Sequence, residues 1–315
     1  MLGFLGSTAL VGCALGIPTA QLGDDPFEGG IGGTGIVGLM TGTGSVLVNG
    51  LRVEVPGTAR VYMAGQVTSD AALVPGVALS IVARTTQDRF EAQHIDVDVP
   101  LVGVLVRADG GYAVNGTPLE LEGGVRAAPL LGRQAAAHGV WQSDGRLRTS
   151  LLRAHNGDAV ASGVLALGSD AGWRIGQTPV VPPRGLRLTA GQFVVARGAF
   201  ADGVLSAQSV QVGRFRRGGG AIRQLSVEGY LEPVATAPGF AVSGLGHSFD
   251  QRLMLAPFAA HRAVYFGPYD GRFRARRAVV LPNATGARRT LLRPADGAAF
   301  AAGLTGDAAR AVGGS

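Results

Sequence analysis

The chain has 315 residues, 46% hydrophobic and 16% charged, with 51 Gly, 16 Pro and a single Cys. Gly and Pro together stay below the roughly 25–30% of unstructured low-complexity chains, and no Gly-X-Y period is present, so disorder and collagen are both excluded. The shortage of charge also argues against a solvated helical bundle, whose polar faces need Glu and Lys.

All 28 basic residues are Arg. The absence of Lys removes a P-loop lysine, a Schiff-base lysine and a Ser-Lys dyad. The net charge of +6 hides a gradient: residues 13–122 carry 12 acids and 5 Arg, residues 123–315 carry 10 acids and 23 Arg.

Residues 1–12, MLGFLGSTALVG, are apolar and too short to span a bilayer, and Cys13 follows them directly. They read as a signal peptide. Leu10-Val11-Gly12-Cys13 resembles the lipobox of bacterial lipoproteins at every position, which implies acylation of Cys13 and a membrane anchor. Ala14 after the Cys resembles the pattern of lipoproteins sent to the outer membrane. The expected address is therefore the cell envelope, with residues 13–28 as a tether.

Repeats come next, because they decide the fold. Four segments open with an apolar strand bearing a central Gly: Gly38, Gly103, Gly163 and Gly229. About a dozen residues later each has a strand running into a tight turn at Asn49-Gly50, Asn115-Gly116, Ile175-Gly176 or Ser243-Gly244. Each unit closes with a second hairpin, turning at Asp88-Arg89, Asp144-Gly145, Asp202-Gly203 or Asp270-Gly271. The fold expected is all-β: four tandem small five-stranded OB-like barrels, over residues 29–99, 100–155, 156–213 and 214–282, with 283–315 as a tail. Curling each sheet into a barrel buries one apolar face and limits exposed edges. The alanines of Gln134 to His138 favour helix locally, but their place in the repeat assigns them to a strand. Strands this short, in a chain with 6% aromatic residues, do not suit a transmembrane barrel.

Gly29-Gly30-Ile31-Gly32-Gly33-Thr34-Gly35-Ile36, followed by Val48-Asn49-Gly50, resembles the opening of a bacterial family of secreted or lipid-anchored proteins built from the domain of unknown function numbered 5666. The resemblance implies a small OB-like barrel in tandem copies over roughly residues 29–282. It carries no activity. The third unit departs from it, with Ile175-Gly176 where the others have Asn-Gly or Ser-Gly.

No catalytic, metal or cofactor set emerges. Gly30-x-Gly32-x-x-Gly35 matches a dinucleotide fingerprint only formally, because no strand precedes it and glycines follow where a helix should begin. In a strand, His94, Asp96 and Asp98 share one face opposite Ile95, Val97 and Val99, an ordinary half-exposed pattern. His138, His155, His247 and His261 stand singly, and no Gly-x-Ser-x-Gly elbow marks a nucleophile.

The basic features are more informative. Arg214, Arg216 and Arg217 precede the fourth unit, and Arg272, Arg274 and Arg276 lie on one strand face opposite Phe273 and Ala275. Arginine forks suit phosphate, carboxylate and sulfate, so these six residues are the candidate anion-binding set. The sequence thus points first to a non-enzymatic lipid-anchored binding or scaffold module. The alternatives are a binder of acidic polysaccharide or lipid phosphate, and a hydrolase with an unrecognised site. The expected partners are the membrane, envelope polysaccharides, lipid phosphates and envelope proteins, not nucleic acid.

Overall fold

The computed structural model describes residues 33–281 except 64, 87–88, 109, 236–238, 247 and 250–259. The signal peptide, Cys13, the tether, the 283–315 tail, His247 and Asp88 of the first closing turn lie outside the described residues. What is described is all-β. Its helical content is three one-turn 3₁₀ segments, Asp70–Ala72, Ala128–Leu130 and Gly219–Ala221. No helix among the described residues is long and apolar enough to cross a membrane.

The alternating sequence of each unit folds into strands where the repeat places them. In unit 1 the five are Gly33–Gly42, Val46–Val48, Leu51–Glu54, Ala78–Thr86 and Arg89–Asp98. The first pairs with the second, the second with the third, the third in parallel with the fifth, the fifth with the fourth, and the fourth with the first. This circuit of hydrogen bonds returns to its start. Unit 1 also carries a hairpin not found in the other units among the described residues, Arg60–Met63 with Gln66–Thr68, whose first strand runs parallel to the fifth strand.

Unit 2 repeats the circuit with Leu101–Ala108, Gly111–Val114, Thr117–Leu121, Gln134–Trp141 and Leu147–Ala154. The alanine-rich segment is a strand, because Ala135 and Ala137 point into the core with Leu101, Leu105 and Leu147. Packing outweighs the few tenths of a kcal/mol per residue of helix preference. Unit 3 does the same with Ala159–Leu167, Trp173–Ile175, Thr178–Val181, Phe193–Ala201 and Val204–Val212. Unit 4 keeps corresponding pairings in shorter form. Ile222–Gly229 pairs with Ala263–Pro268, and the latter with Arg277–Val280; Glu232–Pro233 pairs with Phe240–Ala241, and Ser248–Phe249 runs parallel to Arg274–Ala275.

Tandem units suggest a row of separate bodies, but the first strands join them in pairs. The first strand of unit 1 runs parallel to that of unit 4, and the first strands of units 2 and 3 pair antiparallel. Two ten-stranded sheets result, one from units 1 and 4 and one from units 2 and 3. Each first strand therefore changes partner along its length. Gly33 to Val37 bond unit 4, while Met40 and Gly42 bond the second strand of their own unit. This covers edge groups that would otherwise be open to foreign strands.

The central glycines and the turn asparagines meet at that change of partner. Asn49 takes φ +55° in its turn and is buried, and its Nδ2 donates to the carbonyls of Val37 at 2.9 Å and Ser226 at 3.3 Å. Asn115, at φ +51°, donates in the same way to Val102 at 2.8 Å and Val160 at 3.2 Å. Ser226 and Val160 are equivalent, each three residues before the central Gly of the partner unit. A Cβ on Gly38 or Gly103 would lie 2.1 or 2.0 Å from the Asn Oδ1, which is why those positions have no side chain.

Unit 3 solves the problem differently. Trp141 of unit 2 reaches over, its Nε1 donating to Ser162 O at 2.8 Å, the carbonyl before Gly163. Its six-membered ring fills the space where an Asn side chain would stand: a Cβ on Gly176 would be 2.2 Å from Trp141 Cζ3. Ile175 pairs with Thr178, so the turn residues are Gly176 and Gln177 rather than Ile175 and Gly176, and Gly176 alone of the two has positive φ (+57°), the pattern of a type II′ turn rather than the type I′ of Asn-Gly. The departure of the third copy from the motif is thus a packing requirement.

Candidate functional site

Two buried charge clusters lie between units, and in both an arginine from the second half of the chain meets an acid from the first. In the first, Arg214 in the segment between units 3 and 4 contacts the carboxylate of Asp98 at 2.5 Å and the hydroxyl of Ser80 at 2.9 Å, both of unit 1. Its guanidinium stacks 3.8 Å from the ring centroid of Phe193 in unit 3. Three residues further, Arg217 pairs with Asp96 at 3.4 Å and stacks 3.8 Å over Tyr62. The face of His94, Asp96 and Asp98, read from sequence as the ordinary polar side of a half-exposed strand, is half-buried and is the seat of this arginine segment. Gly218 follows against the His94 ring.

The second cluster centres on Arg262, fully buried, 2.6 Å from Glu122 of unit 2 and 2.7 Å from Glu228 of its own unit. Glu228 also accepts the Leu39 amide of unit 1 at 2.8 Å, and Arg148 stands 3.5 Å from Glu122. Units 1, 2 and 4 meet at this one guanidinium. A buried pair costs much desolvation and is weak evidence of stability by itself, but it fixes register, because any other docking leaves a charge unpaired.

Burial and neighbours shift the carboxyls accordingly. Burial, with repulsion from Asp98, raises Asp96 to about 6 against the pull of Arg217. Burial pushes Asp98 up, opposed by Arg214 and the Ser80 hydroxyl. Glu232 is raised to about 7 by burial, opposed by Arg214 and by a hydrogen bond from the Ser243 amide. His138 is lowered to about 4 by burial, with its Nδ1 3.0 Å from Asp98 O.

Trp141 and Glu232 line two of the spaces between the units. A small cavity of about 40 Å³ has walls from all four units, including Leu39, Trp141, Phe193, Arg214, Glu228 and Glu232; it has room for a few waters. On the other side of Trp141 and Glu232 runs a groove of about 760 Å³. Its walls are the closing turn of unit 2 from Trp141 to Gly145, the first strand of unit 3 from Val164 to Leu167, and Glu232 to Ala235 of unit 4. That volume is in the range of small-ligand sites, which favour boundaries between domains.

The candidate anion set divides. Arg272, Arg274 and Arg276 are exposed and alternate with buried Phe273 and Ala275, as the strand period requires. Arg274 is held 2.6 Å from Asp270. Arg214 and Arg217 instead face Asp98 and Asp96, and Arg216 donates to Gln211. The six do not act as one surface. Among the described residues no group of three or more His, Cys, Asp or Glu could hold a metal ion.

Sequence reasoning did not find Trp141, Gln142 or Glu232, which follow no motif. The signal for the charge clusters was present in the gradient: an acidic front and a basic back in one folded chain invite pairing. No protein-family model matches the chain, and no curated protein or solved structure is significantly similar to it.

Proposed function

We propose that this chain is a non-enzymatic binding module of the cell envelope, anchored through acylated Cys13 and built of four OB-like barrels docked into one body. The strand circuit, first to second to third to fifth to fourth and back, with a parallel third–fifth pair, supports the barrel reading in units 1 to 3. The corresponding short pairings extend it to unit 4. The resemblance of residues 29–50 to the domain family numbered 5666 belongs to the same proposal.

The observation that carries the binding role is the groove between units 2, 3 and 4. The buried charges between units neutralise one another across unit boundaries, which suits them to holding units together rather than to acid–base turnover. Retention of the full chain on cell-envelope extract tests the proposal. Salt-resistant capture of an envelope component without its conversion supports a binding module; conversion of a component would replace it by the hydrolase reading, and absence of capture would remove it. In the same preparation, Cys13→Ala should abolish acylation and partitioning into the detergent phase.

The exposed row of Arg272, Arg274 and Arg276 favours a second reading, a binder of acidic polysaccharide or lipid phosphate. Such binding falls steeply with salt, because bound cations release counterions from the polymer. Replacing all three by Gln should weaken retention on heparin and flatten its salt dependence, whereas Gln at Arg52, Arg60 and Arg84 should do little. Equal retention of both variants would dismiss this reading.

A further inference from the structure

We propose that the outer edge of the fifth strand of unit 3, from Ser209 to Val212, receives an extended acidic segment of another polypeptide as an added strand. Unit 1 shows what such an edge can hold. There the third strand ends at Glu54, and after Pro56 and Gly57 the chain returns as Arg60–Met63, which pairs in parallel with His94 to Val97 of the fifth strand. The two fifth strands correspond residue for residue, because each skips one residue, Gln93 or Gln208, where its pairing with the fourth strand shifts register. Counted on from that residue, Ser209 to Val212 stand where His94 to Val97 stand in unit 1.

In unit 3 no strand takes that place. The third strand pairs with the fifth only at Val180 and Val181, opposite Leu205 and Ser206. Pro182 and Pro183 follow, and without N–H groups they cannot continue the ladder. The chain then turns inward, where Leu188 packs against the core, and rejoins the sheet as the fourth strand at Phe193. Gly213 N donates to Phe193 O at 2.8 Å, so Gln211 and Ser209 bond the fourth strand in their turn, and Val210 and Val212 point their N–H and C=O groups outward. Those groups meet no partner strand among the described residues.

A bare strand edge is a template for foreign strands, and proteins usually guard it with charge, proline or cover. The fifth strand of unit 1 has both charge, at Glu91, Asp96 and Asp98, and the cover of its own hairpin. From Gly203 to Gly213 unit 3 has no charged residue at all. Its charges stand at the borders of the gap. Arg216 is exposed and donates to the Gln211 side chain, and exposed Arg184 follows directly on Pro183. These cations favour carboxylates on an incoming strand, while Val181 and Val212, 56% and 40% exposed, favour aliphatic side chains. A segment in which acidic and aliphatic residues alternate meets both demands. A second copy of the chain would instead bring the same arginines to the same short edge, where like charges oppose pairing.

Amide hydrogen exchange of the full chain, followed by NMR, tests this in two steps. In the chain alone, Val210 and Val212 should exchange at least tenfold faster than Gln211 between them and than Ile95 and Val97, their covered counterparts in unit 1. A short synthetic peptide alternating Val with Glu should then protect Val210 and Val212, whereas a counterpart alternating Val with Arg should not. Val212→Pro removes one outward N–H and no bond to the fourth strand, so it should lower affinity for the Val–Glu peptide at least tenfold. Arg184→Glu combined with Arg216→Glu leaves the backbone edge as it is and should reverse the preference between the two peptides; an unchanged preference would overturn the acidic assignment. Slow exchange of Val210 and Val212 in the chain alone would mean that the edge is already covered, and would overturn the proposal. So would failure of the Val–Glu peptide to protect them at millimolar concentration. Protection that rises with protein concentration in the absence of peptide would replace the foreign segment by a second copy. The edge shares no residue with the groove between units 2, 3 and 4, so each of these failures leaves the reading of that groove untouched.

Discussion

The indole of Trp141 stands where Gly176 has no side chain, and it makes through Nε1 the hydrogen bond that Asn49 and Asn115 make through Nδ2 in units 1 and 2. One tryptophan from the neighbouring unit thus replaces an asparagine of the unit's own turn, and it ties unit 2 to unit 3 in doing so.

Restoring the motif should therefore harm the protein. Gly176→Asn should destabilise it by about 2–4 kcal/mol through overpacking against Trp141 and against Gly145 O, 2.8 Å from the added Cβ. Combined with Trp141→Ala, the loss should be smaller than the sum of the two by about 1–3 kcal/mol, the sign of a shared space. Strict additivity in urea denaturation would mean that the two residues do not compete for it.

Asn115→Ala should cost about 2–4 kcal/mol. The substitution leaves the carbonyls of Val102 and Val160 without their amide donor and places Ala at φ +51°. Asn115→Gly keeps the turn and removes only the bonds, so it should lie between Ala and the parent. If Gly proves as stable as Asn, the residue serves its turn and not the junction of units 2 and 3.

Arg214 and Asp98 offer a test of the inter-unit clamp. Arg214→Met should cost about 3–5 kcal/mol, since it strands the half-buried Asp98 carboxylate. Adding Asp98→Asn should recover a good part of that loss. The exposed pair Arg84–Glu91, 2.8 Å apart, is the control, and its removal should stay within about 1 kcal/mol. Thermal melts of these three variants decide whether burial sets the difference.

Stability should also depend on pH in a way assignable to single groups. The raised pKa of Glu232, about 7 against an ordinary 4.5, means that the folded chain holds a proton there that the unfolded chain has lost. Its contribution is complete below about pH 4.5 and disappears as pH rises through about 7; Asp96, raised to about 6, acts in the same direction. His138, lowered to about 4, acts oppositely: its contribution is complete above 6.5 and is lost as pH falls through about 4. Glu232→Gln should therefore gain on the parent between pH 4.5 and 7.5, by an amount on the order of 2 kcal/mol. A constant difference across that range would show that Glu232 titrates normally.

Much of the fold is legible in the amino-acid sequence. Period-two alternation, four central glycines and turns with Asn-Gly or Asp-Gly determine where strands start and stop, because those are local demands of pleat and of positive φ. They even place Gln134 to His138 in a strand against its alanine content, and they set Arg272, Arg274 and Arg276 outward from Phe273 and Ala275. The repeat could not show that unit 1 joins unit 4 and unit 2 joins unit 3, since partner choice depends on which half-open edge meets which. It likewise gave Arg214 and Arg217 the same standing as Arg272, although the former two lie against Asp98 and Asp96 and the latter faces water. Trp141 and Gln142 are neighbours at the closing turn of unit 2 and Glu232 lies some ninety residues on in unit 4, and only docking of units 2, 3 and 4 brings them around one groove. Local geometry is written in spacing; pairing of buried charges and shaping of a groove between units are cooperative, and tertiary structure alone decides them.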